Sequence, residues 1–236
     1  MNVHANAAPT QALHEIATHL DRGRPDFAAS AARSACARWP DEAQVHRLLG
    51  IALLQQGQIA EALSALERAR QLQPASIEIL ANLANAQASS GALDGARTTL
   101  DAALRLAPAH PSLHNQLGNV LHATGDLPGA CAAWRAATRA QADHVGAWCN
   151  LAAGEFALGD SEAADRDLSR ALALAPDYAP AFLLLGQIRA ARGDATGAEQ
   201  AWLRGADLAP RDARFAYQLG LLAEECRRAG VAGEHL

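Results

Sequence analysis

Three groups of side chains in this 236-residue chain have types and spacings that could do chemistry. His110, His114, His122 and His144 crowd into one stretch, and His110 and His114 stand four apart, a spacing that can chelate a metal on a helix. Pro111 lies between them, however, and sets His110 in a loop before the helix. His114 and His46 also share a register with Trp148 and Phe182, so they read as packing residues. The aromatics themselves could frame a ligand cage. Trp134 and Trp202 share a register with Leu66, Leu100 and Leu168, and Trp148 shares one with Leu80, so they read as core. The third group is a set of carboxamides: Asn82, Asn85, Asn115, Gln116, Asn119, Asn150, Gln187 and Gln218. Asn82, Gln116, Asn150 and Gln218 form one column, directly before Leu83, Leu117, Leu151 and Leu219; His14, Leu48 and Leu184 break it. An amide carries both donor and acceptor, so such a column can pair with the main chain of an extended polypeptide. No nucleophile–base pair, metal set or phosphate-binding loop emerges. The expectation is therefore no catalytic residue, no metal site and no cofactor.

The elements that must carry these side chains follow one template, residues 43–76. Leu49, Gly50, Leu53 and Leu54 give a first helix an apolar stripe, and Gly57 ends it. Ile59, Ala62, Leu63, Leu66 and Ala69 give a second helix its stripe, and Pro74 stops that helix. The template recurs. Its turn glycines are Gly23, Gly57, Gly91, Gly125, Gly159 and Gly193, and its small residues are Ala28, Ala62, Ala96, Ala130, Ala164 and Ala198. The stops are Pro40, Pro74, Pro108, Pro176 and Pro210, with Ala142 the exception. Antiparallel helices joined by one turn lie close, and small side chains such as Gly50 and Ala62 make room for that approach. The alanine column therefore reads as structural.

A period of 34 with helix, turn and helix is that of tetratricopeptide repeats, and residues 9–212 resemble that family in six units. The units are expected at 9–42, 43–76, 77–110, 111–144, 145–178 and 179–212. A capping helix is expected at 213–228, where Arg227 replaces the turn glycine and Glu224, Glu225 and Arg228 make the end polar. Residues 1–8 are expected to be disordered, and 229–236 to be a tail or the start of a linker. The resemblance implies an all-α fold, a right-handed α-α superhelix of stacked repeats whose first helices line a concave groove. The eight amides would face that groove. This resembles the asparagine ladder in the repeat part of O-GlcNAc transferases. It does not resemble the carboxylate clamp of chaperone-binding members, which needs basic residues in the groove, and this chain has no lysine. Amides at this column also serve hydrogen bonds between repeats, and the residues alone leave both readings open.

Composition narrows the classes. Half the residues are hydrophobic, mostly Ala and Leu, and 4% are aromatic, as packed helices require. The net charge is −5, the arginines are scattered, and no basic stripe marks a nucleic-acid surface. No apolar run reaches the length of a membrane span, and the N-terminus lacks a signal-peptide layout. The four cysteines show no C-x-x-C pair or zinc spacing, which suits free thiols in a reducing compartment. These features predict a bacterial-type cytoplasmic protein. The leading functional expectation is a non-catalytic scaffold that holds an extended peptide or a partner helix in its groove. The alternative is the substrate-recruiting repeat arm of a larger glycosyltransferase, sulfotransferase or 2-oxoglutarate oxygenase. Self-association through the caps is a third reading.

Overall fold

The structure is a computed structural model that describes the backbone of residues 4–233 and the side chains of residues 9–228. Among these residues there are thirteen helices and no strand, so the fold class is all-α. They are α1 (His4–Asp21), α2 (Pro25–Arg38), α3 (Ala43–Gln55), α4 (Ile59–Leu72), α5 (Ile77–Ser89), α6 (Leu93–Leu106) and α7 (Pro111–Ala123), followed by α8 (Leu127–Ala140), α9 (Val145–Ala157), α10 (Ser161–Leu174), α11 (Ala179–Ala191), α12 (Ala195–Leu208) and α13 (Ala213–Gly233). From α2 to α12 the helices alternate between 14 and 13 residues, so the sequence period is also a structural one.

Gly57 shows how one pair turns. Its φ is 74°, a left-handed conformation that a side chain would strain. There, Gly57 N donates to Leu54 O at 3.0 Å and Gln58 N to Leu53 O at 2.9 Å, which satisfies carbonyls left open at the end of α3. The other five turn glycines share the positive φ. The alanine five residues after each of them is fully buried in all six repeats.

The chain divides into two compact units, 1–125 and 126–236, and the division falls at the Gly125 turn inside the fourth repeat. In the first unit α1 packs on α2, α3 on α4 and α5 on α6, and each pair meets the next through its second helix. The first helices α3, α5 and α7 also touch in succession. Leu66, Leu100 and Leu113 are fully buried between these layers. An added Cβ at Gly50 would come within 2.5 Å of Leu66 Cγ, so the glycine is where the two helices meet.

In the second unit α9 pairs with α10 and α11 with α12, while α8 packs on α9 and α13 on α12. Its contact points are aromatic. A Cβ at Gly186 would run into the Trp202 ring, and one at Gly205 would run into Phe215. The second helices of this unit carry an extra device. Asp126, Asp160 and Asp194 cap α8, α10 and α12 by accepting from Gly129 N, Ala163 N and Gly197 N at 2.9–3.0 Å. In the first unit Arg24, Gln58 and Ala92 stand at that position and make no side-chain cap.

Helix α1 begins at His4, inside the stretch 1–8 expected to be disordered; residues 1–3 lie outside the described residues. The alanines at 5, 7 and 8 favour helix. At the other end α13 continues to Gly233, past the expected cap at 228, since no proline follows Pro210 to stop it. Residues 234–236 lie outside the described residues.

Candidate functional site

The amides divide between the two units. In the first unit α5 carries Asn82 and Asn85, and α7 carries Asn115, Gln116 and Asn119. The structure brings three of them to one place. Asn85, Gln116 and Asn119 line a cleft of about 140 Å³ whose other walls include Ala84, Ala88, Leu93, Leu100 and Val120. Asn85 and Asn119 are exposed and Gln116 is half-buried. Gln116 Oε1 is itself buried and, among the described residues, has no hydrogen-bond donor. A buried amide terminus without a partner costs on the order of 1–3 kcal/mol, a cost removed when a ligand supplies one. Asn82 and Asn115 are half-buried and do not line the cleft; Asn115 and Asn119 each already engage a neighbour. In the second unit Asn150, Gln187 and Gln218 are half-buried on α9, α11 and α13, and Asn150 engages a neighbour.

The ring column has a structural role that its register only hinted at. His46 Nε2 bonds Pro40 O at 2.8 Å, His114 Nε2 bonds Pro108 O at 2.8 Å, and Trp148 Nε1 donates to Ala142 O at 2.9 Å. One ring nitrogen thus ties the start of a first helix to the loop before it, in three repeats. His110 sits at the N-cap of α7, in the loop where Pro111 was expected to place it. Among the described residues, no three His, Cys, Asp or Glu side chains gather in a way that could hold a metal. Trp134 and Trp202 are buried, as core residues. Cys131 and Cys149 are buried thiols, and burial pushes the Cys149 thiol up to about 11.

One polar cluster escaped sequence reasoning. Glu155 of α9 is 6% exposed and accepts from Arg135 of α8 at 2.8 Å. Asp167 of α10 faces it, and Glu155 Oε2 is buried with no hydrogen-bond donor among the described residues. Two facing carboxyls repel when both are charged, so the pair holds a proton more readily than either would alone. Burial first, then the Asp167 charge, raises the Glu155 pKa above the ordinary 4.5, while the bond from Arg135 opposes that. Asp167 is also raised by burial, and Arg166 and Asp160 face it. The folded chain therefore holds a proton at this pair more tightly than the unfolded chain does. This contribution is complete below the ordinary carboxyl range and fades as pH rises through the raised folded value. Glu155→Gln keeps an acceptor for Arg135 and a donor for Asp167 without a titrating proton. Its thermal midpoint, followed by circular dichroism, should fall less than that of the parent between pH 5 and pH 8. Parallel curves would refute the shared proton. Its register gave no signal, since it carries His19, Leu53, Gln87, Leu121 and Arg189 in the other repeats.

Two tetratricopeptide repeat family models match, one over residues 53–115 and another over 17–77 and 149–213. No curated protein sequence matches the chain. Among solved structures, the chain is similar to the APC/C hetero-tetramer Cut9–Hcn1 with a TM-score of 0.81 and 17% identity, covering 91% of this chain and 42% of that one. It is thus less than half as long as that protein chain. It is similar to pilF of Pseudomonas aeruginosa with a TM-score of 0.75 and 16% identity, covering 90% and 96% of the two chains. It is also similar to YrrB, described as a TPR protein with an unusual peptide-binding site, with a TM-score of 0.57 and 17% identity over 80% and 97%. At such identities the likeness is one of fold. Among the described residues no helix is long and apolar enough to cross a membrane.

Proposed function

The chain belongs to the tetratricopeptide repeat family, a family of protein-interaction scaffolds, and from that premise we propose that it is a non-catalytic module that receives an extended peptide of a partner protein on the amide-bearing face of α5 and α7. The observation that carries this reading is the cleft in which Asn85 and Asn119 flank the unpaired buried end of the Gln116 amide. Uncharged amides there suit a ligand recognised through its peptide groups rather than through a terminal carboxylate, since each peptide unit offers one N–H and one C=O. The peptide-binding site described for YrrB, on the same fold, supports the reading.

The test is the double variant Asn85→Ala with Gln116→Ala. Both residues sit toward solvent or the cleft rather than in the packed core, so helix content should match the parent by circular dichroism. Capture of partner proteins from a lysate of the source organism should fall at least about tenfold if the two amides together contribute roughly 1.5–3 kcal/mol. Undiminished capture by a well-folded variant would remove the amides from the site.

A further inference from the structure

We propose that the cleft between α5 and α7 is a specificity pocket for one uncharged apolar side chain of leucine to phenylalanine size on an extended peptide. This rests on the reading that the amide face receives a peptide. The pocket exists because of one register position. Ala88 stands where Leu20, Leu54, His122 and Phe156 stand in the first, second, fourth and fifth repeats; the sixth carries Ala190. Leu54 and Phe156 pack against the cores of their own repeats. At Ala88 that volume is open, so the cleft occupies space that Leu54 and Phe156 fill in their own repeats. The volume, about 140 Å³, is close to the ~150 Å³ of an apolar cavity known to hold benzene, so a side chain of four to seven carbons fills it.

The walls set the chemistry. Ala84, Leu93, Leu100 and Val120 are apolar, and no charged residue lines the cleft. A lysine, arginine or carboxylate anchor would be desolvated without a partner there. The polar rim then places the main chain of the peptide beside Gln116. With an anchor seated beside Ala88, the adjoining peptide group lies at the level of Gln116, whose buried amide end lacks a partner. Because the amide can present either its oxygen or its NH₂, either half of a peptide group can satisfy it.

The experiment pans a phage-displayed library of random linear twelve-residue peptides on the purified chain, on Ala88→Phe and on Gln116→Ala. Ala88→Phe fills the pocket with the residue type that the fifth repeat already carries. If it does not fold by circular dichroism, Ala123→Leu at the exposed edge of the cleft replaces it. The parent should enrich peptides with Leu, Ile, Met or Phe at one fixed position. Fluorescence polarisation of the consensus peptide should show a loss of at least about tenfold when that anchor becomes Ser, or when the pocket is filled. Gln116→Ala should weaken all enriched peptides alike, whatever their anchor. Enriched peptides with no fixed apolar position, or equal affinity for the filled variant, would overturn the pocket and leave the peptide-binding reading standing. Absence of enrichment over bare support would overturn both.

Discussion

Trp202→Ala should destabilise the second unit by about 3–5 kcal/mol, the range for removing a buried aromatic from a packed interior. Trp202 is 3% exposed, and its ring occupies the space that a side chain at Gly186 would need. Its Nε1 donates to Leu183 O at 3.1 Å, so truncation removes a hydrogen bond as well as contact area. It also belongs to the cluster of Ala198 and Phe215 through which α13 is held. Because a repeat stack is stabilised by nearest-neighbour interfaces, the loss should stay local. Hydrogen exchange read by mass spectrometry should show faster exchange in α11, α12 and α13 and little change in α3 to α6. Trp202→Leu should cost less, since leucine holds this register at Leu66, Leu100 and Leu168. Uniform weakening across the chain would contradict the local-interface account.

The second large effect concerns Gly50 and Leu66. Leu66→Ala should cost about 2–5 kcal/mol, because a fully buried leucine leaves a cavity that its neighbours cannot close. Gly50→Leu should cost about 1–3 kcal/mol for the opposite reason, since its Cβ would lie 2.5 Å from Leu66 Cγ. Combined, the two changes should cost clearly less than their sum, because the new leucine enters the space that the old one vacates. Urea unfolding of the parent and the three variants measures this. Strict additivity would mean that the glycine is not the contact point between α3 and α4.

Both predictions draw on features already visible as periodicity. The glycines that adopt positive φ, the buried alanine column and the alternation of leucine with tryptophan all appear in the sequence, because each follows from a helix pair that must turn tightly and approach closely. What the sequence did not reveal depends on contacts between repeats. The meeting of Arg135, Glu155 and Asp167 draws on three helices, and no single repeat contains the cluster. The aspartate caps were available at Asp126, Asp160 and Asp194, directly after the turn glycines, and went unread because only half the repeats carry them.

The amides were only partly legible. Their common column located them on the first helices, but the column alone does not decide which gather. Asn82 and Gln116 share the column, yet the cleft takes Gln116 together with Asn85 and Asn119, one helical turn along. The small side chain at Ala88 decides this, and alanines are too common here to single one out. Trp148 packs against the core of its repeat, while the bonds from His46, His114 and Trp148 to the Pro40, Pro108 and Ala142 carbonyls leave no mark in the sequence.

The central claim is that the α5–α7 amide face receives a peptide. The most direct measurement is the side-chain NH₂ region of a ¹⁵N-labelled sample, titrated with the peptide enriched from the library. The account predicts that the Asn85, Gln116 and Asn119 resonances shift together and saturate at one affinity, while those of Gln44, Gln71 and Gln200, outside the cleft, stay in place. Shifts confined to the latter, or spread evenly over all amides, would contradict it.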